Sequence, residues 1–347
     1  MKKIKVKKIY EKDGISINEY TMSNDYMNVK ILNFGGIIRE INVANEMGIK
    51  ENVVLAYENI EDYFETESYY GATIGRTAGR IAKGEVRINN RDIKLNKNYV
   101  TSQCHGGNEG FNKKIWRVKL VESNIESKLH FFYISQDGEE NYPGTMNVEV
   151  IFSLNDNNEL KIEYKAEADK DTLVNMTNHS YFNLSGNYKY GIENHDLYVS
   201  SDSILEIDKD GVVTGKIMNT KNTAFDFTTK KKIGIDINSS DNQIKFGAGY
   251  DHPFNLCGEK KIVLEDKVAK RGLEVITDNS TVIIYTMNYP DGKLGLGGRK
   301  LNRRYGVCLE TQSKPIGYGE IFKEESYLKV GEIYEKSTIY KFYKLDL

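Results

Sequence analysis

Residues 146–168 read MNVEVIFSLNDNNELKIEYKAEA, and two alternating patterns meet in them. Met146, Val148, Val150, Phe152 and Leu154 alternate with Asn147, Glu149, Ile151 and Ser153. After the turn residues NDNN at 155–158, Leu160, Ile162, Tyr164, Ala166 and Ala168 alternate with Glu159, Lys161, Glu163, Lys165 and Glu167. A period of two is the signature of strands with one buried and one wet face, so this stretch predicts an antiparallel hairpin.

Working outward, Asp13-Gly14, Asn89-Asn90 and Asp291-Gly292 mark further turns of the kind that tolerate positive φ. Ile4 and Val6 suggest a strand near the start. The best helical signal is NIEDYFETES at 59–68, where Ile60, Tyr63 and Phe64 fall at i, i+3 and i+4. With 24 tyrosines, four prolines, no repeat and no convincing linker, the chain is expected to form one all-β domain over 1–347. The fold class expected is a large antiparallel β-sandwich with few short helices.

The 48 basic and 50 acidic residues leave a net charge of −2, with no basic surplus for nucleic acid or anionic lipid. No apolar run approaches the roughly 20 residues that span a bilayer. The opening MKKIKVKKIY lacks the apolar region of a secretory signal. Three cysteines at wide spacing, Cys104, Cys257 and Cys308, form neither a disulfide framework nor a CxxC motif, so a cytoplasmic protein is expected.

Chemistry concentrates in a few segments. GATIGRTAGRIAKG at 71–84 has three glycines but neither a Walker nor a dinucleotide spacing, and alone reads as a turn with Arg76 and Arg80 solvated or paired. CHGGNEGFNKKIW at 104–116 puts His105 before two glycines, where backbone can approach a ligand closely. NMTNHSYFNLSG at 175–186 places His179 among asparagines and aromatics, leaving Asn178 and His179 available to a cleft. Asp251 lies in GYDHPF at 249–254, and Glu310 ends an apolar run in GVCLETQSKP at 306–315, where desolvation would raise its pKa. His105, His179 and His252 lack common zinc spacings, so no metal is expected. Ser180 lacks a nucleophile elbow and points away from His179 on a strand.

Together GRTAGRIAKG, HGGNEGF, DGEENYPG, NHSYFNLSG, GYDHPF and CLETQ occur in the order found in the aldose 1-epimerases, which this sequence resembles from about residue 31 to about 315. The resemblance implies a large β-sandwich that interconverts the α and β anomers of a free hexose, D-galactose or D-glucose, without cofactor or metal. It implies Glu310 as the base at the C1 hydroxyl, His179 as the acid at the ring oxygen, and His105 as a hydrogen-bond partner near that oxygen. Arg80 and Asp251 would hold sugar hydroxyls. Gly79 stands where some family members carry asparagine, and Asn279, in TDNSTVIIYTMN, is matched with a substrate-contacting glutamine.

Other departures are VTSQCHGG before the glycine pair and KPIGYGE after Glu310, which direct attention to sugar preference. Of the rivals, a glycoside hydrolase using Asp251 and Glu310 gives no role to two loop histidines. A non-catalytic carbohydrate-binding sandwich would need neither Glu310 nor His179. A hexose-6-phosphate 1-epimerase should gather cations, for which Arg76, Arg80, Arg299, Arg303 and Arg304 are available. The expected partner is a small sugar, and the chain a monomer or homodimer.

Overall fold

A computed structural model describes residues 3–346. The 146–168 hairpin forms as its alternation demands: Met146–Asn155 pairs antiparallel with Glu159–Ala168 in unbroken register, Met146 opposite Ala168 and Leu154 opposite Leu160. Met146, Val148, Val150, Phe152 and Leu154 are buried, and so are Leu160, Ile162, Tyr164 and Ala166. Each such side chain contributes on the order of 1.5–3 kcal/mol when fully buried. The opposite face is less wet than the pattern implies, because Ile151 and Ser153 are buried as well.

This hairpin sits inside a nine-stranded antiparallel sheet. Its order is Arg117–Glu122, Glu126–Ser135, Met146–Asn155, Glu159–Ala168, Tyr334–Lys344, Arg271–Thr277, Lys261–Asp266, Asp196–Val199 and Lys231–Lys232. A second, six-stranded sheet runs Tyr181–Phe182, Val307–Gln312, Thr281–Tyr285, Asp251–Asn255, Ser203–Ile207 and Val213–Asn219. Val282, Ile284, Val307 and Leu309 of the second sheet share one apolar cluster with Phe152, Leu160, Ile162 and Tyr340 of the first. The fold is a β-sandwich, its two sheets closed over a common core. A five-stranded N-terminal sheet from Lys5–Lys12 to Lys50–Asn52 adds Met22, Val29 and Ile31 to that core.

Asp13-Gly14 and Asn89-Asn90 turn two-strand hairpins with positive φ at all four residues. Asp291-Gly292 does not; it lies in the loop between Thr281–Tyr285 and the short strand Leu294–Gly295, where Asp291 accepts hydrogen bonds from Tyr57 and Ser68. The helical signal at 59–68 yields only Asp62–Glu65, since Tyr63 and Phe64 are claimed by edge contacts with Tyr57, Phe34 and Tyr10.

Arg76 is paired and fully buried. Its guanidinium donates to Oγ and the carbonyl of Ser135 (2.8 and 3.0 Å) and to the carbonyls of Gln136, Pro143 and Gly144 (3.0, 3.0 and 2.8 Å). The glycine-rich segment is thereby tied to the end of the strand Glu126–Ser135, and its next arginine is presented to a cleft.

Candidate active site

Strand alternation builds the cleft floor. Along Val307–Gln312, Val307, Leu309 and Thr311 face the core, with Thr311 Oγ1 2.6 Å from Thr338 Oγ1 on the other sheet. Cys308, Glu310 and Gln312 therefore face the opposite way. In the neighbouring strand, Ile283 pairs with Glu310 and Tyr285 with Cys308, and beyond it Asp251 pairs with Tyr285. Glu310, Asp251, Ile283 and Tyr285 line a cleft of about 200 Å³ with Arg80, His105, His179 and Tyr69.

Loops supply the histidines. Thr177–Asn178 pairs with Thr73–Ile74, and His179 donates its N–H to the Ala72 carbonyl (2.9 Å) while accepting from Gly71 N–H (3.0 Å). The surrounding asparagines are scaffold. Asn178 donates to the Gly71 carbonyl (2.8 Å) and accepts from the Ser180 hydroxyl (2.6 Å), so it is turned away from the cleft and Ser180 is committed to the turn. Asn183 and Ser185 repeat the device, and Asn175 clamps the backbone of Ser313. His105 has φ +51° and donates its N–H to the Gly79 carbonyl (3.1 Å), while Asn98 braces the loop through Cys104 and Gly107.

These elements bring His179 Nε2 to 3.3 Å from Glu310 Oε1. His105 crosses the His179 ring edge to face at 5.1 Å between centroids, and Tyr69 lies 4.9 and 5.6 Å from the two. Ligand atoms of His105, His179 and Glu310 lie within 4.8 Å of one another, a spacing that could hold a divalent ion. Arg80 donates to Asp251 (3.2 Å) and stacks over Tyr99 (4.7 Å). Gly79 takes φ +73°, and a Cβ there would lie 2.9 Å from Pro315. The close approach keeps its N–H on His105 Nδ1 at 3.4 Å.

Burial governs the electrostatics. It lifts the Glu310 carboxyl well above its ordinary range, with Asp251 adding to the effect and Arg80 opposing it. It pushes His179 down to about 4, partly opposed by contact with its own backbone. His105 is driven well below its usual value by burial, then by His179 and Arg80. An acid that is reluctant to ionise beside a base that is reluctant to protonate is an arrangement for passing protons to a third party.

Of the candidates from sequence, Glu310, His179, His105, Arg80, Asp251 and Gly79 meet in this cleft. Asn279 does not. It is buried in the turn before Thr281–Tyr285, where its N–H and Nδ2 donate to Thr277 Oγ1 (3.2 and 3.1 Å). The strand residue that reaches the cleft is Ile283, four positions on, or about 13 Å at strand rise. Tyr69, Tyr99, Cys104, Ile283 and Tyr285 escaped the sequence reading, though the last two were legible as the alternate positions to Val282 and Ile284. The arginines do not converge: Arg304 donates to Thr286 and Ala248, Arg303 to the Ala248 carbonyl, and Arg299 is exposed, leaving Arg80 as the cation of the cleft lining. His252 turns from the cleft onto Phe225, 4.6 Å between centroids.

Fold and site together define a β-sandwich with a carboxylate–imidazole pair set among aromatic rings and an arginine–aspartate pair. Comparison with known proteins agrees with that class. The aldose 1-epimerase family model matches residues 18–341. Galactose mutarotase of Bos taurus is 35% identical over 94% of each chain, and aldose 1-epimerase of Haemophilus influenzae is 34% identical over 87% of this chain and 88% of its own. The solved galactose 1-epimerase of Lactobacillus acidophilus superposes with a TM-score of 0.90 at 28% identity, covering 99% of this chain and all of that one. This chain belongs to the aldose 1-epimerase family, and it is an isomerase that interconverts the anomers of a hexose.

Proposed function

We propose that the hexose is a free one, D-galactose or D-glucose, and that Glu310 and His179 carry the reaction. The observation that bears most on this is the 3.3 Å approach of His179 Nε2 to Glu310 Oε1 in a cleft whose cation, Arg80, is already matched by Asp251. A phosphorylated sugar would need further positive charge there, and Arg76, Arg299, Arg303 and Arg304 lie outside the cleft lining.

The pair carries one proton. With Glu310 as carboxylate and His179 as imidazolium, Glu310 removes the C1 hydroxyl proton while His179 Nε2 protonates the ring oxygen, so the C1–ring oxygen bond breaks and the C1 carbonyl forms. Both groups are then neutral, the state that burial favours, and this gives the transfer its drive. Rotation about C1–C2 presents the other carbonyl face. His179 then withdraws the proton of the open-chain hydroxyl, Glu310 returns one to the carbonyl oxygen, and the ring closes as the opposite anomer. His105 orients the ring oxygen, Arg80 and Asp251 hold hydroxyls, the backbone of Gly79 holds His105, and Tyr69 offers an aromatic face to the sugar.

The whole chain, 1–347, acts in this reading as one domain, in the cytoplasm, as a monomer or homodimer, with neither cofactor nor resident metal. No helix among the described residues is long and apolar enough to cross a membrane. Polarimetry of fresh α-D-galactose, α-D-glucose and glucose 6-phosphate at neutral pH tests the proposal. Faster relaxation of the free sugars is expected; acceleration confined to the phosphorylated sugar would overturn it.

A further inference from the structure

On the side of the His179 ring away from Glu310, Nδ1 lies 3.5 Å from the sulfur of Cys308. Cys308 and Glu310 alternate on Val307–Gln312 and share a face, so a single strand supplies a partner for each ring nitrogen. Cys308 is fully buried. In the catalytic cycle, Nε2 alternates between carrying a proton and lacking one, whereas Nδ1 must keep its proton in both states. A histidine that serves as a base in hydrolytic triads has a carboxylate at this second nitrogen, which stabilises the imidazolium. Here the partner is a thiol, a weak acceptor. Burial pushes that thiol well above its ordinary pKa, with Glu310 and Asp251 adding to the effect and a hydrogen bond with Tyr181 opposing it, so it stays uncharged.

We infer that Cys308 is a positioning residue for the acid: its sulfur holds Nδ1, leaves Nε2 as the exchanging nitrogen, and, as a weak acceptor where a carboxylate would be a strong one, leaves the imidazolium ready to surrender its proton. The other groups around the ring are Glu310 from the same strand, Tyr181 from the adjoining one, Tyr69 and His105 from the loops, and Arg80 and Asp251 across the cleft. The imidazole also contacts its own backbone. The inference rests on the acid–base assignment above.

The test is the pH dependence of kcat and KM for Cys308→Ser, Cys308→Ala and Cys308→Asp, with thermal melts as the check on folding and His179→Asn as reference. Hydrogen-bond partners behind metal-bound histidines are worth about 10- to 100-fold, and a weak thiol acceptor behind a metal-free histidine is set at the lower end. Cys308→Ala should lose about tenfold in kcat with KM little changed, and Cys308→Ser should recover most of it. Cys308→Asp should move the His179 limb of the profile upward by about one pH unit, a tenfold change in proton affinity. Should the aspartate variant not fold, nitrogen NMR of the wild-type His179 ring replaces it, with a neutral ring protonated at Nδ1 expected. Unchanged profiles in the folded variants, or a neutral ring protonated at Nε2, would overturn the inference while loss of activity in His179→Asn leaves the reaction assignment standing. An active His179→Asn would overturn both.

Discussion

Arg76 and Arg80 lie four residues apart in one glycine-rich segment, yet the regions that house them have opposite characters. The Arg76 region is a closed polar junction, in which the guanidinium is surrounded by four backbone carbonyls and two hydroxyls and every donor is used. The Arg80 region is a cleft in which polar atoms remain without protein partners, among them Nε of Arg80 and Oε2 of Glu310. A buried polar group whose hydrogen bonds are complete is architecture, and one left incomplete at the wall of a cleft is waiting for a ligand. The cleft matters to that lesson: His252 also has an unpartnered nitrogen, but it faces the core and reaches nothing that reacts.

The sharpest way to separate the two regions is to remove the proposed base. Glu310→Gln keeps the shape and loses the proton acceptor, so kcat in polarimetry should fall by at least ~10²- to 10⁴-fold. Its melting temperature should hold or rise, because a buried carboxylate is replaced by a neutral amide. Arg76→Met should do the reverse, leaving carbonyls unsatisfied at a cost on the order of 3 kcal/mol or more in denaturant unfolding while the folded fraction keeps a near-normal kcat. An Arg76→Met protein that stayed stable but inactive would break the comparison.

Smaller effects belong to Arg80 and Asp251, the pair proposed to hold sugar hydroxyls. Asp251→Asn and Arg80→Met should each raise KM by roughly 10- to 100-fold, the worth of a hydrogen bond to a charged group, with modest change in melting temperature. A separate readout is the pH dependence of stability set by histidines buried uncharged. Burial holds His179 at about 4 and His252 at about 3, against an unfolded value near ~6.5. Between those values the unfolded chain binds protons that the folded chain does not, so stability should fall as pH drops from about 6.5 toward 4. Glu310 acts oppositely, since its raised pKa lowers stability as pH rises above its unfolded value of ~4.3. Melts across this range should be flatter in His252→Phe than in the parent. Last, Asn279→Ala should leave KM unchanged, as its side chain lies outside the cleft lining with Nδ2 on Thr277.

How much of this was legible in the sequence varies with the interaction that decides each element. The 146–168 hairpin was readable to the residue because strand burial repeats every second position and the turn signal sits between the runs. The 59–68 helix was over-read: aromatics at helical spacing also suit loop residues that reach several partners, as Tyr63 and Phe64 do. The His179 segment was readable as special, but not the division of labour within it, in which the asparagines hold the turn and only the imidazole enters the cleft. Asn279 was misplaced because a departure from the family pattern drew attention to a turn residue, when the cleft wall lay four residues on at Ile283.

The sequence alone determined the fold class, the near-neutral charge and the segments that carry chemistry, because periodicity, turn residues and composition are local properties. Only the tertiary structure decided that Glu310 and His179, 131 positions apart in the chain, meet at 3.3 Å, that Arg76 is sealed while Arg80 is open, and that a thiol stands behind the His179 ring. Those are outcomes of strand pairing and loop closure across the whole chain. The free energy that sets them comes from burying distant residues together, and no local pattern records it.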